Sequence, residues 1–170
     1  MSARQLVNEN LISILEILEL KSKPIDIVIY GSWRWGSQKR ESDIDVLLLV
    51  EDDVSKYSSS IRVKGGTQFD VTIEGSSEFK DNLMEMKPFE VFCVVQQPDD
   101  LRFEYTYIQN LRFVLDKKKL STRVLETVKK DRTRLRKCSK NDRQYCKTLL
   151  ASYRLLKITC QILHGKTVSF

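Results

Sequence analysis

The stretch VIYGSWRWGSQKRESDIDVLLLV, residues 28–50, gathers residue types suited to phosphate and metal chemistry. Gly31 has no Cβ, so its backbone can approach a phosphate closely. Ser32 adds a hydroxyl and an N–H for the same oxygens. Asp43 and Asp45 lie two apart, which in a strand places both on one face. Carboxylates are costly in an apolar sheet unless something compensates them, and two like charges there call for a cation. Their oxygens suit a hard divalent ion. Asp70, between Phe69 and Val71, is a third carboxylate, whose two neighbours would point to the opposite face. Three carboxylates can bind two Mg2+ ions about 4 Å apart, with Mn2+ as the alternative ion; one activates an attacking hydroxyl and one grips a leaving phosphate. A nucleoside triphosphate (NTP) would use all of these groups.

These residues need strands behind them. Residues 25–30 (IDIVIY) and 43–50 predict two strands flanking the Gly31–Ser42 loop. The segment SIRVKGGTQFDVTIEG predicts a hairpin turning at Gly65-Gly66, with Asp70 in its second arm. Residues 51–60 are polar and predict a loop with some helix. Leu6, Val7, Leu11, Ile14, Leu15 and Leu18 form a helical stripe over 3–20, ended by Pro24. Serines open a helix at SSEFKDNLMEM, while PFEVFCVV fits strand or helix. From about 106 the pattern is helical. Val124, Leu125, Val128 and Leu135 fit one helix. Tyr145, Leu149, Ser152, Leu156, Cys160 and Leu163 fit the buried stripe of another, opened near Ser139 or Asn141 and closed by Gly165. The fold class is therefore α+β: a small mixed sheet backed by helices as residues 1–105, then a basic helical region, 106–170, packing on it.

The 170 residues carry a net charge of +6, unevenly spread. Residues 1–110 hold 12 Lys and Arg against 19 Asp and Glu, a balance of −7; residues 111–170 hold 17 against 4, a balance of +13. An acidic front and a basic back suggest an anionic partner meeting both. No apolar run is long enough to span a membrane, and the N-terminus reads as an amphipathic helix rather than a signal peptide. Cys93, Cys138, Cys146 and Cys160 form no CxxC pair, and His164 is the sole histidine, so zinc-type spacing is absent. The expectation is four reduced, mostly buried thiols in a cytoplasmic protein, with His164 at a helix end.

Gly31-Ser32, three residues, Gly36, five residues, then Ser42-Asp43-Ile44-Asp45 resembles the signature of the DNA polymerase beta-like nucleotidyltransferase superfamily. The spacing is most similar to its minimal bacterial and archaeal members. SEFKDNLMEMKPFEVFCVV and YCKTLLASYRLLKITCQILHGKTVSF also look similar, more loosely, to nucleotidyltransferase-domain proteins of bacteria, phages and large viruses. The chain departs from the pattern at Trp33 and Trp35, where smaller or more varied residues are usual.

The resemblance implies transfer of a nucleoside monophosphate from an NTP to an acceptor hydroxyl, releasing pyrophosphate. Asp43 and Asp45 would bind both metals, Asp70 would bind the catalytic metal and help deprotonate the acceptor, and Gly31 and Ser32 would hold the triphosphate. Glu74 is the alternative third ligand. Arg34, Lys39 and Arg40 would touch the triphosphate or form a solvated basic loop. Trp33 and Trp35 would shield the site, stack on a base at ~1–3 kcal/mol, or pack on the N-terminal helix. Arg143, Lys147 and Arg154 share a helical face; Lys147 and Arg154 align with the looser resemblance as nucleotide contacts. Lys129, Lys130, Arg132 and Arg134 would meet a nucleic acid or form a solvated face. An RNA end is the favoured acceptor. The alternatives are a protein partner, as when antitoxins of the minimal group adenylylate a toxin, and a non-catalytic nucleic-acid-binding or toxin-neutralising module. A cationic small molecule such as an aminoglycoside fits a basic half poorly.

Overall fold

The computed structural model describes residues 2–34, 36, 42–51, 54–95, 101, 103, 107–139 and 142–165. Helix α1 spans Ala3–Ile17, opened by the Ser2 side chain, which accepts from the Gln5 N–H. It stops before the predicted end. Glu19 takes φ +53°, and the N–H groups of Glu19 and Leu20 return to the carbonyls of Glu16 and Leu15. This is a Schellman closure, so a local cap, not Pro24, ends the helix.

Strand β1 (Asp26–Tyr30) leads into a single helical turn, α2 (Gly31–Arg34), and then β2 (Ile44–Val50). Strands β3 (Tyr57–Arg62) and β4 (Gln68–Gly75) form the predicted hairpin, with the Val63 N–H donating to the Thr67 carbonyl beside the Gly65-Gly66 turn. β3 starts earlier than expected: Tyr57–Ser59 are strand, not loop, because β4 offers them a pairing partner. The sheet order is β1-β2-β4-β3, with β2 and β4 parallel and the outer pairs antiparallel. The expected mixed α+β class is what the chain adopts.

Alternation gives the sheet two different faces. Ile27, Ile29, Ile44, Val46, Leu48, Phe69, Val71 and Ile73 point to one of them and pack with Ala3, Val7 and Ile14 of α1 into the main core. The other face carries Tyr30, Asp45, Asp70, Thr72 and Glu74. At its far end, Asp26 accepts from the N–H of Ile108 in α5 (Tyr107–Asn110), and Glu74 accepts from Asn82 of α3 (Ser76–Met84).

The segment PFEVFCVV is helical as α4 (Pro88–Val94), with Pro at the first turn, where its missing N–H costs nothing. Two long helices follow, α6 (Lys117–Leu135) and α7 (Arg143–Leu163). The chain divides into two compact units: Met1–Asn82 with Gln96–Arg112, and Leu83–Val95 with Phe113–Ser169. In the second, the Ser152 hydroxyl donates to Asp131 across α6 and α7 at 2.8 Å, and Lys117 caps the Leu163 carbonyl at 2.9 Å.

The buried stripe of α7 differs from the expected one. Ser152, Ile158, Thr159 and Ile162 are buried, whereas Leu149 is 50% exposed and Leu156 and Cys160 are also exposed. The helix carries apolar residues on more than one face, and the Asp131–Ser152 bond accompanies the face turned inward. Asp142 opens it, accepting from the Gln144 N–H, in place of Ser139; Asn141 lies outside the described residues. His164 caps its end and Gly165 follows at φ +65°, as anticipated. Leu125 of α6 is exposed. Of the four free cysteines Cys93 is buried, Cys138 half-buried, and Cys146 and Cys160 exposed, so the thiols are not mostly buried. No helix among the described residues is long and apolar enough to cross a membrane.

Candidate active site

The site is a single row across the sheet. Tyr30 pairs with Asp45, Asp45 with Asp70, and Asp70 with Ser60, so one residue from each strand falls in line on the same face. Adjacent strands stand about 4.8 Å apart, which brings the Asp45 and Asp70 side chains within reach of a common ligand. Asp43 immediately precedes β2, two residues before Asp45. All three aspartates are half-buried, a position in which a carboxylate keeps access to solvent and to ligands.

Gly31 is seated on Asp45. Its φ is +64°, and a Cβ built there would lie 2.5 Å from the Asp45 Cγ. Both the left-handed backbone and the lack of room exclude a side chain. Ser32 follows in the same turn, half-buried. Arg34 ends the turn and is 6% exposed, so its guanidinium lies inside rather than on a solvated loop. Trp33 packs against the core that includes α1. Trp35, Lys39 and Arg40 lie outside the described residues.

Asp70 is held from the other side. The Ser60 hydroxyl donates to its Oδ1. One row along, Thr72 Oγ1 lies 2.8 Å from Ser58 Oγ and 3.0 Å from the Tyr30 hydroxyl, which reaches over β2. The sequence did not single out Ser60, the hydroxyl that reaches the carboxylate row; Ser58 and Thr72 bond each other outside that row. Symmetry about Gly65-Gly66 would set Ile61 opposite Asp70; the hairpin is instead centred on Gly65, with Val63 facing Thr67, and that offset places Ser60 opposite Asp70 and Ser58 opposite Thr72.

Glu74 is fully buried and engaged, 2.9 Å from Lys56 Nζ and 2.8 Å from Asn82 Nδ2. It serves the interior, not the carboxylate row. Burial raises the Asp26 carboxyl above its ordinary value, against the lowering effect of the Ile108 and Ile27 N–H groups.

Oxygen donors of this kind suit a hard divalent cation in type and in register. As they stand, the carboxylates do not close around one point: among the described residues no three His, Cys, Asp or Glu side chains converge to hold a metal ion.

In the second unit, Lys129, Lys130, Arg132 and Arg134 lie exposed on α6, and Arg143 and Lys147 exposed on α7, with Arg154 half-buried. Glu85, ahead of α4, takes Lys119 and Arg123 of α6 at 2.9 Å each. The Lys119 and Arg123 hydrogen bonds hold its carboxyl below the ordinary value.

A family model described as nucleotidyltransferase domain matches residues 11–146. No curated protein matches the chain. Among solved structures it is similar to a nucleotidyltransferase-like protein from Exiguobacterium sibiricum 255-15, with 12% identity and a TM-score of 0.44, covering 95% of this chain and 58% of that one. The chain thus spans less than two thirds of that protein's length. The family match takes in all four strands, the Gly31 turn and the facing aspartates, and by it the chain belongs to the nucleotidyltransferase-domain family.

Proposed function

We propose that the protein transfers a nucleoside monophosphate from an NTP to an acceptor hydroxyl, with an RNA end as the favoured acceptor. The observation that carries this reading is the facing of Asp45 and Asp70, with Gly31 packed on Asp45. Asp43, Asp45 and Asp70 would hold Mg2+, or Mn2+. Bound there, the ions supply activation of the attacking oxygen and charge neutralisation on the triphosphate. Gly31 lets the turn close directly on Asp45, so that its backbone and the Ser32 hydroxyl and N–H are offered to the phosphates. The acceptor oxygen bonds to the α-phosphorus as the bond to the β-phosphate oxygen breaks, pyrophosphate leaves, and Asp70 helps take the hydroxyl proton. In the second unit, Lys147 and Arg154 are the proposed nucleotide contacts, and Lys129, Lys130, Arg132 and Arg134 the proposed contacts for the acceptor's phosphates. The exposure of those four cations supports the RNA reading.

One observation favours a protein acceptor as the second reading. α7 exposes Leu149, Leu150, Tyr153 and Leu156, an apolar patch that RNA does not require but a protein partner could cover. Incubation with each α-labelled NTP and Mg2+, in the presence of total RNA or of a host protein extract, tests both. Label in RNA supports the first reading and label in protein the second. Label in neither, with no pyrophosphate released, overturns the proposal of transferase activity.

A further inference from the structure

We infer that Ser60 is a positioning residue for Asp70, its hydroxyl holding one carboxylate oxygen so that the other is presented to the metal–nucleotide complex. This rests on the nucleotidyl-transfer reading above. Ser60 lies on β3, directly opposite Asp70, and donates to Oδ1. Asp45 lies opposite Asp70 on the other side. Asp70 therefore stands between a hydroxyl donor and a second carboxylate. A lone Asp side chain turns about two torsions; tying Oδ1 to a neighbouring strand removes most of that freedom. The tether is itself anchored. Ile61, the next residue, is buried in the core with 7% exposure, opposite buried Phe69. The core thus fixes the register of β3 and, by alternation, aims Ser60 at the carboxylate row.

The structure also supplies a control. Ser58 lies on the same strand and face, but its hydroxyl bonds Thr72, one row from Asp70. Removing it loosens the same hairpin without touching the carboxylate. A structural role for Ser60 would therefore give Ser60→Ala and Ser58→Ala the same phenotype; a positioning role separates them.

The experiment compares Ser60→Ala, Ser60→Thr and Ser58→Ala in the full chain. It measures transfer against NTP concentration and, independently, Mn2+ affinity by electron paramagnetic resonance of the unbound ion. Loss of a group that orients a metal ligand typically costs 10–100-fold in metal affinity or activity. Ser60→Ala should lower kcat about tenfold, leave KM for NTP within about twofold, and weaken Mn2+ binding. Ser60→Thr should restore both, because its hydroxyl can donate in the same way, while Ser58→Ala should keep wild-type kcat and Mn2+ affinity. Wild-type values in Ser60→Ala, or equal losses in Ser58→Ala, overturn the inference. Asp45→Asn and Asp70→Asn separate the two levels. If both retain wild-type Mn2+ affinity, the metal-dependent transfer reading fails. If both lose it while Ser60→Ala does not, only the role of Ser60 falls.

Discussion

Asp45 and Asp70 face each other across the two central strands, β2 and β4, although they lie 25 positions apart in the chain. The pairing is parallel, so residues in register share a face. On the opposite face Phe69, Val71 and Ile73 are fully buried. A slip of one residue would drive Asp70 into that core and turn Phe69 out. The apolar face therefore enforces the meeting of the two carboxylates.

Neutralising either aspartate should remove transfer without unfolding the protein. Asp45→Asn should lower the rate at least 100-fold, on the order seen when a group acting in the transition state is lost. Tm should hold or rise, because one of two adjacent like charges is gone. Asp70→Asn should act on kcat more than on KM for NTP. Steady-state kinetics and a thermal melt check this; wild-type turnover in either variant would remove both residues from the chemistry.

Gly31→Ala should be costly twice over. The left-handed φ alone disfavours a side chain by about 1–2 kcal/mol, and the new Cβ would overlap the Asp45 carboxylate. We expect a stability loss of that order in urea titration, with an activity loss larger than the stability change explains. An active, fully stable Gly31→Ala protein would mean that the turn is not seated on Asp45.

Glu85 should contribute to acid sensitivity. Hydrogen bonds from Lys119 and Arg123 lower its folded-state pKa below 4.5. Its contribution is present above 4.5 and is lost as pH falls through the folded value. Glu85→Gln should flatten that part of the stability–pH curve, measured by the urea midpoint. An unchanged curve would show that the two ion pairs do not persist in solution.

Asp26 should work in the opposite direction. Burial raises its folded-state pKa above 3.8, against hydrogen bonds from the Ile108 and Ile27 N–H groups. Its contribution is complete below 3.8 and is lost as pH rises through the folded value. Carboxyl NMR should place its titration above 3.8; a titration below that would show that the two N–H bonds outweigh burial.

The basic surfaces should separate by ligand. Replacing Lys129, Lys130, Arg132 and Arg134 with Ala should weaken RNA binding across sequences. It should also flatten the salt dependence of that binding, by about 0.7–0.9 log units for each phosphate that the variant no longer neutralises. NTP binding should survive. Replacing Lys147 and Arg154 should do the reverse. Fluorescence titration at several salt concentrations reads both, and no change in either set would leave these cations as solvated surface.

Local pattern alone determined a good deal of this protein. Runs of β-branched and aliphatic residues marked β1 and β2, Gly65-Gly66 marked the hairpin that holds β4, and the Gly31-Ser32 and Asp43-x-Asp45 spacing marked the candidate site. These signals lie within a few residues of one another, where backbone geometry sets direction without help from the rest of the chain. Pairing was legible only in part. That Asp70 points away from Phe69 and Val71 follows from alternation; that it stands beside Asp45 does not, since nothing local pairs β4 with β2 rather than β1. Ser58 read as loop, and Ser60 fell where the loop and hairpin readings met, because serine has little strand preference of its own, and β4 overrode it. α7 shows the same limit on a helix: its apolar residues wrap more than one face, and packing with α6, marked by Asp131 holding Ser152, accompanied the burial of Thr159 and Ile162 while Leu149 and Leu156 stayed outside. A sequence specifies which faces a segment has; which face meets which neighbour is an energy comparison made by the folded chain.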